Sequence, residues 1–112
     1  MYLLFISLHE EEFLDNIISA LVEAEVTDAD VIEGQDLLKI LSEDIPIFTG
    51  LLKGLSGLRP ITKNIFAKAD NKEQVQRFLD IIKSEGIDFS EPGVGSVMLI
   101  PTELYIGSGP TI

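Results

Sequence analysis

The stretch that decides the fold is YLLFISL, which runs from Tyr2 to Leu8. An almost continuous apolar run of this length is typical of a strand buried on both faces. Three glutamates, residues 10–12, follow it and suit the positive end of a helix. From Phe13 onward, apolar residues recur at three- and four-residue spacing, which predicts an amphipathic helix to about Glu25.

A second strand is predicted from Thr27 to Gly34, where apolar and acidic residues alternate loosely. Ala29 and Val31 would lie on one side, and Asp30 and Ile32 on the other. We interpret this strand as an edge of the sheet. Residues 2–34 therefore predict a β-α-β unit.

The second half of the chain repeats this plan. Ile61 to Ala69 is predicted to be a strand. Asn71 with Gln74, or Asp70 with Glu73, predicts a capping box at the start of a helix. Gly86 is expected to end that helix in a left-handed conformation. A turn-rich loop, residues 91–95, then leads into a strand from Ser96 to Pro101.

Two β-α-β units in series predict an α+β, ferredoxin-like βαββαβ sandwich. It would have a four-stranded antiparallel sheet with two helices on one face. A short last strand is expected at residues 104–106. We expect one domain over residues 1–107 and a short tail over residues 108–112.

The central segment, residues 36–58, is the least regular part of the plan. Leu37 to Leu41 has the apolar content of one or two helical turns. Pro46 is well placed to begin a helix, and the following apolar residues have helical spacing. We expect a short extra helix there and a glycine-rich exit.

The first and last predicted strands are apolar on both sides, yet two helices cover only one side. A bare second side of that size is rarely left in contact with water. Two interpretations remain open: the second side packs against other copies, or the central segment folds over it. We expect self-association.

Composition narrows the classes of partner. The 112 residues include 19 acidic and 8 basic side chains, which give a net charge of -11. Such a surface repels phosphate backbones and anionic membranes, so neither nucleic acid nor membrane insertion is expected. The chain has no cysteine, which excludes thiolate chemistry and fits a cytoplasmic protein.

Few residues in the sequence indicate a catalytic or metal-binding site. His9 beside residues 10–12 could form a metal or acid–base site, but neighbouring residues on a helix point apart, so a solvated helix start is favoured. Asp28 and Asp30 could bind a hard cation, but no third ligand has suitable spacing. No nucleophile or complete phosphate-loop motif is present. We expect no enzymatic activity.

The scarce basic residues and one glycine motif are the candidate ligand-binding elements. Arg59 could grip a carboxylate or phosphate, or neutralise an acidic neighbour. Lys63 follows it near the start of the third strand. Gly93-Val94-Gly95 is a weak phosphate-loop motif that a tight turn explains equally well.

The order of these parts resembles the nitrogen-regulatory PII superfamily and its PII-like relatives over residues 2–106. The resemblance rests on the double β-α-β plan, the Gly34-Gln35 exit from the second strand, and the sequence EPGVGSVMLIP at residues 91–101. It implies a homotrimer with inward-facing sheets. It also implies clefts between subunits, built around Gly34, Gln35, Gly93, Val94, Gly95 and Ser96.

Members of that family bind adenine nucleotides in these clefts and regulate partners through a long loop. Here residues 36–58 take the place of that loop and are apolar. Ser96 stands where a basic residue is usual, and residues 105–108 carry no positive charge. A nucleoside triphosphate in such a cleft would therefore have few cationic side chains to contact its phosphates.

The resemblance implies a PII-like homotrimeric signalling or regulatory protein that binds a small molecule or a partner protein between its subunits. The alternative is a trimer with a purely structural or protein-interaction role and no ligand.

Overall fold

A computed structural model describes residues 1–44 and 61–107 of the chain. Four strands, three α-helices and one 3-10 turn make up the described part. In chain order they are β1 (Tyr2–Leu8), the 3-10 turn (Glu11–Phe13), α1 (Leu14–Glu23), β2 (Ala29–Gln35), α2 (Leu37–Asp44), β3 (Ile61–Ala69), α3 (Lys72–Ser84) and β4 (Gly95–Pro101).

The strands form one antiparallel sheet in the order β2-β3-β1-β4. In its middle row, Phe5 of β1 lies opposite Phe66 of β3 on one side and Met98 of β4 on the other. The α+β architecture with its four-stranded antiparallel sheet and two packed helices is compatible with a ferredoxin-like fold. β2 and β4 are the two edges of the sheet among the described strands.

The core lies between one face of the sheet and the helices α1 and α3. Alternate residues of β1, namely Leu4, Ile6 and Leu8, are almost completely buried there. They pack in one cluster with Ile17 of α1 and Phe78 of α3, neither of which is exposed to solvent. The period-two alternation of β1 therefore assigns one face to the core.

Local signals define both ends of α3. The Asn71 side chain accepts a hydrogen bond from the amide of Gln74 at 2.9 Å, which confirms the predicted N-cap. The Gln74 side chain accepts from the amide of Asp70 at 2.7 Å and not from that of Asn71. At the other end Gly86 has a φ of +81°, which confirms the left-handed stop.

The predicted last strand at residues 104–106 is wrong. The β1–β4 ladder ends where the amide of Thr102 donates to the carbonyl of Met1 at 3.1 Å, and the chain then leaves the sheet. The ring of Tyr105 lies 4.7 Å from the ammonium of Lys68. Tyr105 thus contacts a side chain of β3, and residues 104–106 pair with no described strand.

Three predictions fall partly or wholly beyond the described ranges. The helix expected after Pro46, the tail at residues 108–112, and most of the segment 36–58 lie outside them; α2 occupies the beginning of that segment. Within the described ranges, no helix is both long and apolar enough to cross a bilayer.

Candidate functional site

Most of the predicted ligand-binding residues come together at one end of the sheet. One row across the four strands contains Glu33, Lys63, Leu8 and Gly95, in that order. Lys63 and Gly95 are therefore separated by a single strand, which is about 10 Å at the usual spacing of neighbouring strands. The sheet register thus brings together residues that are far apart in the sequence.

The glycine loop joins the beginning of β4 to the end of β1. The carbonyl of Val94 accepts a hydrogen bond from the amide of His9 at 2.9 Å. A Cβ atom built on Gly95 would lie 2.0 Å from the carbonyl oxygen of Ser7, and its φ is +141°. Gly95 is thus required for the close approach of two strands, which is a structural reason for this glycine.

Gly93 differs from Gly95 because it has space around it. Its φ is +89°, and a Cβ there would meet only the Glu10 carboxylate, at 3.8 Å. Val94 is buried, and Ser96 is exposed at the start of β4. The Glu10 carboxylate, which follows β1, therefore lies beside Gly93, and its negative charge does not favour a phosphate in the same place.

Lys63 is held by two carboxylates. Its ammonium lies 3.2 Å from Oε1 of Glu33 and 3.4 Å from Oε1 of Glu11. The hydrogen bond to Glu33, followed by that to Glu11, holds the pKa of Lys63 above its ordinary value despite desolvation. An anionic ligand would have to compete with both carboxylates for this ammonium.

The exit of β2 lies at the same end. Gly34 pairs with Thr62 and Gln35 pairs with Ile61. A Cβ on Gly34 would lie 2.6 Å from Nδ2 of Asn64, so the Asn64 side chain occupies the space above this glycine. Arg59, the remaining predicted ligand residue, lies outside the described residues.

The remaining candidate residues, His9 and Asp28, are not brought together in one site. The hydroxyl of Ser7 and Nε2 of His9 are 3.4 Å apart at the end of β1. The carbonyl of Asp28 accepts from the amide of Lys68 at 2.9 Å, so Asp28 continues the β2–β3 ladder. In residues 1–44 and 61–107, no three His, Cys, Asp or Glu side chains are grouped as metal ligands would be.

A groove beside α3 contains polar residues that the sequence did not indicate as a site. It has a volume of about 590 Å³ and is lined by Lys83, Asp88, Ser90 and several apolar side chains. Hydrogen bonds from the hydroxyl and the amide of Ser90 lower the pKa of Asp88. The Asp-Phe-Ser spacing, an aspartate two residues before a serine, is the turn signal that could have indicated this local structure.

The most extensive feature is the face of the sheet opposite α1 and α3, which we call the open face. Met98 is 53% exposed, Ile32 52%, Ile100 41% and Phe66 40%. Half-buried Phe5 contacts Phe66, with ring centroids 4.9 Å apart. Large apolar side chains therefore occur on the open face of all four strands, interrupted by the polar row of Asn64, Ser7 and Ser96.

Comparison with known proteins adds no identification. No protein-family model matches the sequence, and no curated protein matches it. The PII resemblance therefore depends on the order of the elements and on the quoted residues alone.

Proposed function

We propose that the protein is a self-associating regulatory protein, a PII-like homotrimer whose copies meet through their open faces. The observation that carries this proposal is the exposure of large apolar side chains on the open face, namely Ile32, Phe66, Met98 and Ile100. An exposed apolar patch bordered by polar residues is characteristic of protein interaction sites.

The charge distribution supports association through this face. The thirteen positions of the open face in the four strands include one acidic residue, Asp30, and one basic residue, Lys68. The whole chain has 27 charged residues in 112. Depletion of charge at a patch centre is the compositional mark of an interface core.

The area of the open face is smaller than that of a standard protein interface, so a stable trimer would need additional contact surface. Strands of seven residues and four strand spacings give a face of roughly 450 Å². A standard interface buries about 800 Å² on each partner. Tyr105 contacts Lys68 of this face, so the exposed apolar residues on either side of it in the sequence, Leu104 and Ile106, are available to extend the interface.

The experiment is sedimentation equilibrium of the intact chain and of the variant Met98→Lys. We expect a mass near three times 12.3 kDa for the natural sequence and a shift toward 12.3 kDa for the variant. Val22→Lys is the matched control, because Val22 is 58% exposed and lies on α1, away from the open face. A natural sequence that stays monomeric at about 50 µM, in the range of ordinary specific affinities, refutes the proposal.

The regulatory part of the proposal places a small molecule, or a segment of a partner protein, between subunits at the sheet end that carries Gly34, Gln35, Lys63 and the loop of Gly93 to Ser96. Titration calorimetry with ADP, ATP, cyclic nucleotides and bicarbonate tests it. Heat that saturates, and that changes in Lys63→Met, supports a ligand site at this end.

The second candidate is a trimer with a structural or interaction role only. Its specific support is the pairing of Lys63 with Glu33 and Glu11, which already satisfies the one described cation of this sheet end. Trimeric mass together with no heat for any of these ligands, and no protein captured by a pull-down, favours this candidate.

A further inference from the structure

An apolar groove lies between α1 and the edge strand β2, on the face of the sheet opposite to the open face. Its volume is about 290 Å³, and its lining is aliphatic except for Thr27. Val22 and Val31 stand on its two walls and are 58% and 46% exposed. Buried Leu21 and Ile65 form part of its lining. The groove can therefore receive apolar side chains without rearrangement of the core.

The outer edge of β2 borders this groove and offers backbone hydrogen bonds. The amide of Lys68 donates to the carbonyl of Asp28, so the alternation of an antiparallel ladder turns the polar groups of residues 28, 30, 32 and 34 toward β3. The amides and carbonyls of Ala29, Val31 and Glu33 then point outward. No described strand pairs with this outer edge.

The same residues join the two features. Val31 lies opposite buried Ile65, so its side chain is on the groove side while its backbone groups point outward. The same holds for Ala29, which lies opposite buried Ala67. An added strand on this edge would place every second side chain over the groove, because side chains alternate along a strand.

The charge around the groove defines the chemistry of the occupant. Residues 1–38 contain ten acidic side chains and no lysine or arginine. Glu23 adjoins the lining residue Val22 in the sequence. Asp28 and Asp30 lie on the other side of β2, where the alternate side chains of an added strand would lie. None of the three forms an ion pair with another described side chain. A basic segment would be attracted here, and an acidic one repelled.

We propose that the groove between α1 and β2 binds an extended, basic and apolar segment of a partner protein, which adds as a strand to the outer edge of β2. The main-chain hydrogen bonds would supply affinity, and alternate apolar side chains in the groove would supply specificity. This proposal uses a different surface from the open face and does not depend on trimer formation.

The test uses fluorescence anisotropy with the intact chain and a labelled heptapeptide in which lysine and valine alternate, KVKVKVK. We expect it to bind at least about tenfold more tightly than EVEVEVE. A version with N-methyl groups on the valine amides tests strand addition, because it keeps charge and apolar content but loses the hydrogen-bond donors. It should bind about tenfold more weakly.

The variants Val22→Lys and Met98→Lys separate the groove from general attraction to an acidic protein. Each adds one positive charge at an exposed apolar position, but only Val22 lines the groove. Val22→Lys should weaken peptide binding about tenfold, and Met98→Lys should leave it within about twofold. Equal effects of the two variants, or no binding of KVKVKVK, overturn the proposal.

Hydrogen exchange gives a second measurement, because nonspecific attraction to an acidic protein would not protect particular backbone amides. On addition of KVKVKVK, the amides of Ala29, Val31 and Glu33 should gain protection, whereas those of Asp30 and Ile32 already face β3. Protection gained elsewhere and not at these three amides overturns strand addition. A shift of Val22→Lys toward monomer in sedimentation would identify the groove as a self-interface and likewise overturn the proposal.

Discussion

Gly95 shows how one residue fixes the geometry of the candidate ligand end. A Cβ at this position would lie 2.0 Å from the carbonyl oxygen of Ser7, which is backbone and cannot rotate away. Gly95→Ala should therefore lower the free energy of unfolding by about 3 kcal/mol, from strain and from separation of β1 and β4. Urea denaturation followed by circular dichroism measures this change.

Gly86 is the matched control for that prediction. Its φ is also positive, at +81°, but a Cβ there would meet nothing within 4 Å. Gly86→Ala should cost only about 1 kcal/mol, the penalty of the left-handed conformation. Equal losses for the two variants would contradict the role assigned to the Ser7 contact.

Lys63 gives a prediction for alkaline pH. Its pairing with Glu33 and Glu11 raises its pKa in the folded state, above the value of about 10.4 in an unfolded chain. The resulting stabilisation is complete below the unfolded pKa and is lost as the pH rises through the folded one. Between about pH 9 and pH 11.5, the free energy of unfolding should fall more for the natural sequence than for Lys63→Met.

The control for the alkaline prediction is Lys83→Met, since Lys83 lies in the last turn of α3 and makes no ion pair with Glu33 or Glu11. This variant should retain the pH dependence of the natural sequence. If Lys63→Met retains it as well, the two carboxylates do not stabilise the ammonium.

Residue patterns predicted some of these roles and missed others for a physical reason. Gly86 and Asn71 act within their own helix, so the local sequence was enough to assign them. Lys63 contacts Glu33 and Glu11 only because of the sheet register and the turn after β1. Such long-range pairing is not encoded in the spacing of neighbouring residues.

At the scale of the elements, the start of α3 provides a sharp test. The Asn71 side chain accepts from the amide of Gln74, one of the first amides of the helix that lacks a helical acceptor. Asn71→Ala should lower the free energy of unfolding by about 1 kcal/mol. Asn71→Ser retains a capping oxygen and should lose much less; thermal or urea denaturation of both variants decides this.

The strands show where the sequence was sufficient for whole elements. β3 has the predicted bounds, Ile61–Ala69, because Ile61, Ile65 and Ala67 recur with the two-residue period of a strand. The stretch 104–106 is wholly apolar but forms no strand in the structure. Apolar content predicts burial or contact, and only the positions of the other strands determine whether an edge is available for pairing.

At the scale of the whole molecule, the two proposed surfaces should respond to salt in opposite directions. The chain carries a net charge of -11, so a trimer would carry three times -11, or -33. Raising the salt concentration from about 0.02 M to 0.5 M shortens the Debye length from roughly 20 Å to 4 Å and screens this repulsion. Association through the apolar open face should therefore strengthen, which sedimentation equilibrium at the two concentrations would detect.

Binding of KVKVKVK to the groove between α1 and β2 should weaken over the same range, because it depends on attraction between the lysines of the peptide and the acidic residues on and beside β2 and at the end of α1, namely Asp30, Asp28 and Glu23. Salt is thus expected to strengthen self-association through the open face and to weaken peptide binding in the groove. One salt series, measured by sedimentation and by anisotropy, therefore distinguishes the two surfaces. Self-association that falls with salt would mean that ion pairs, not Met98, Phe66 and their neighbours, hold the copies together. Peptide binding that is insensitive to salt would remove the charge argument for a basic partner.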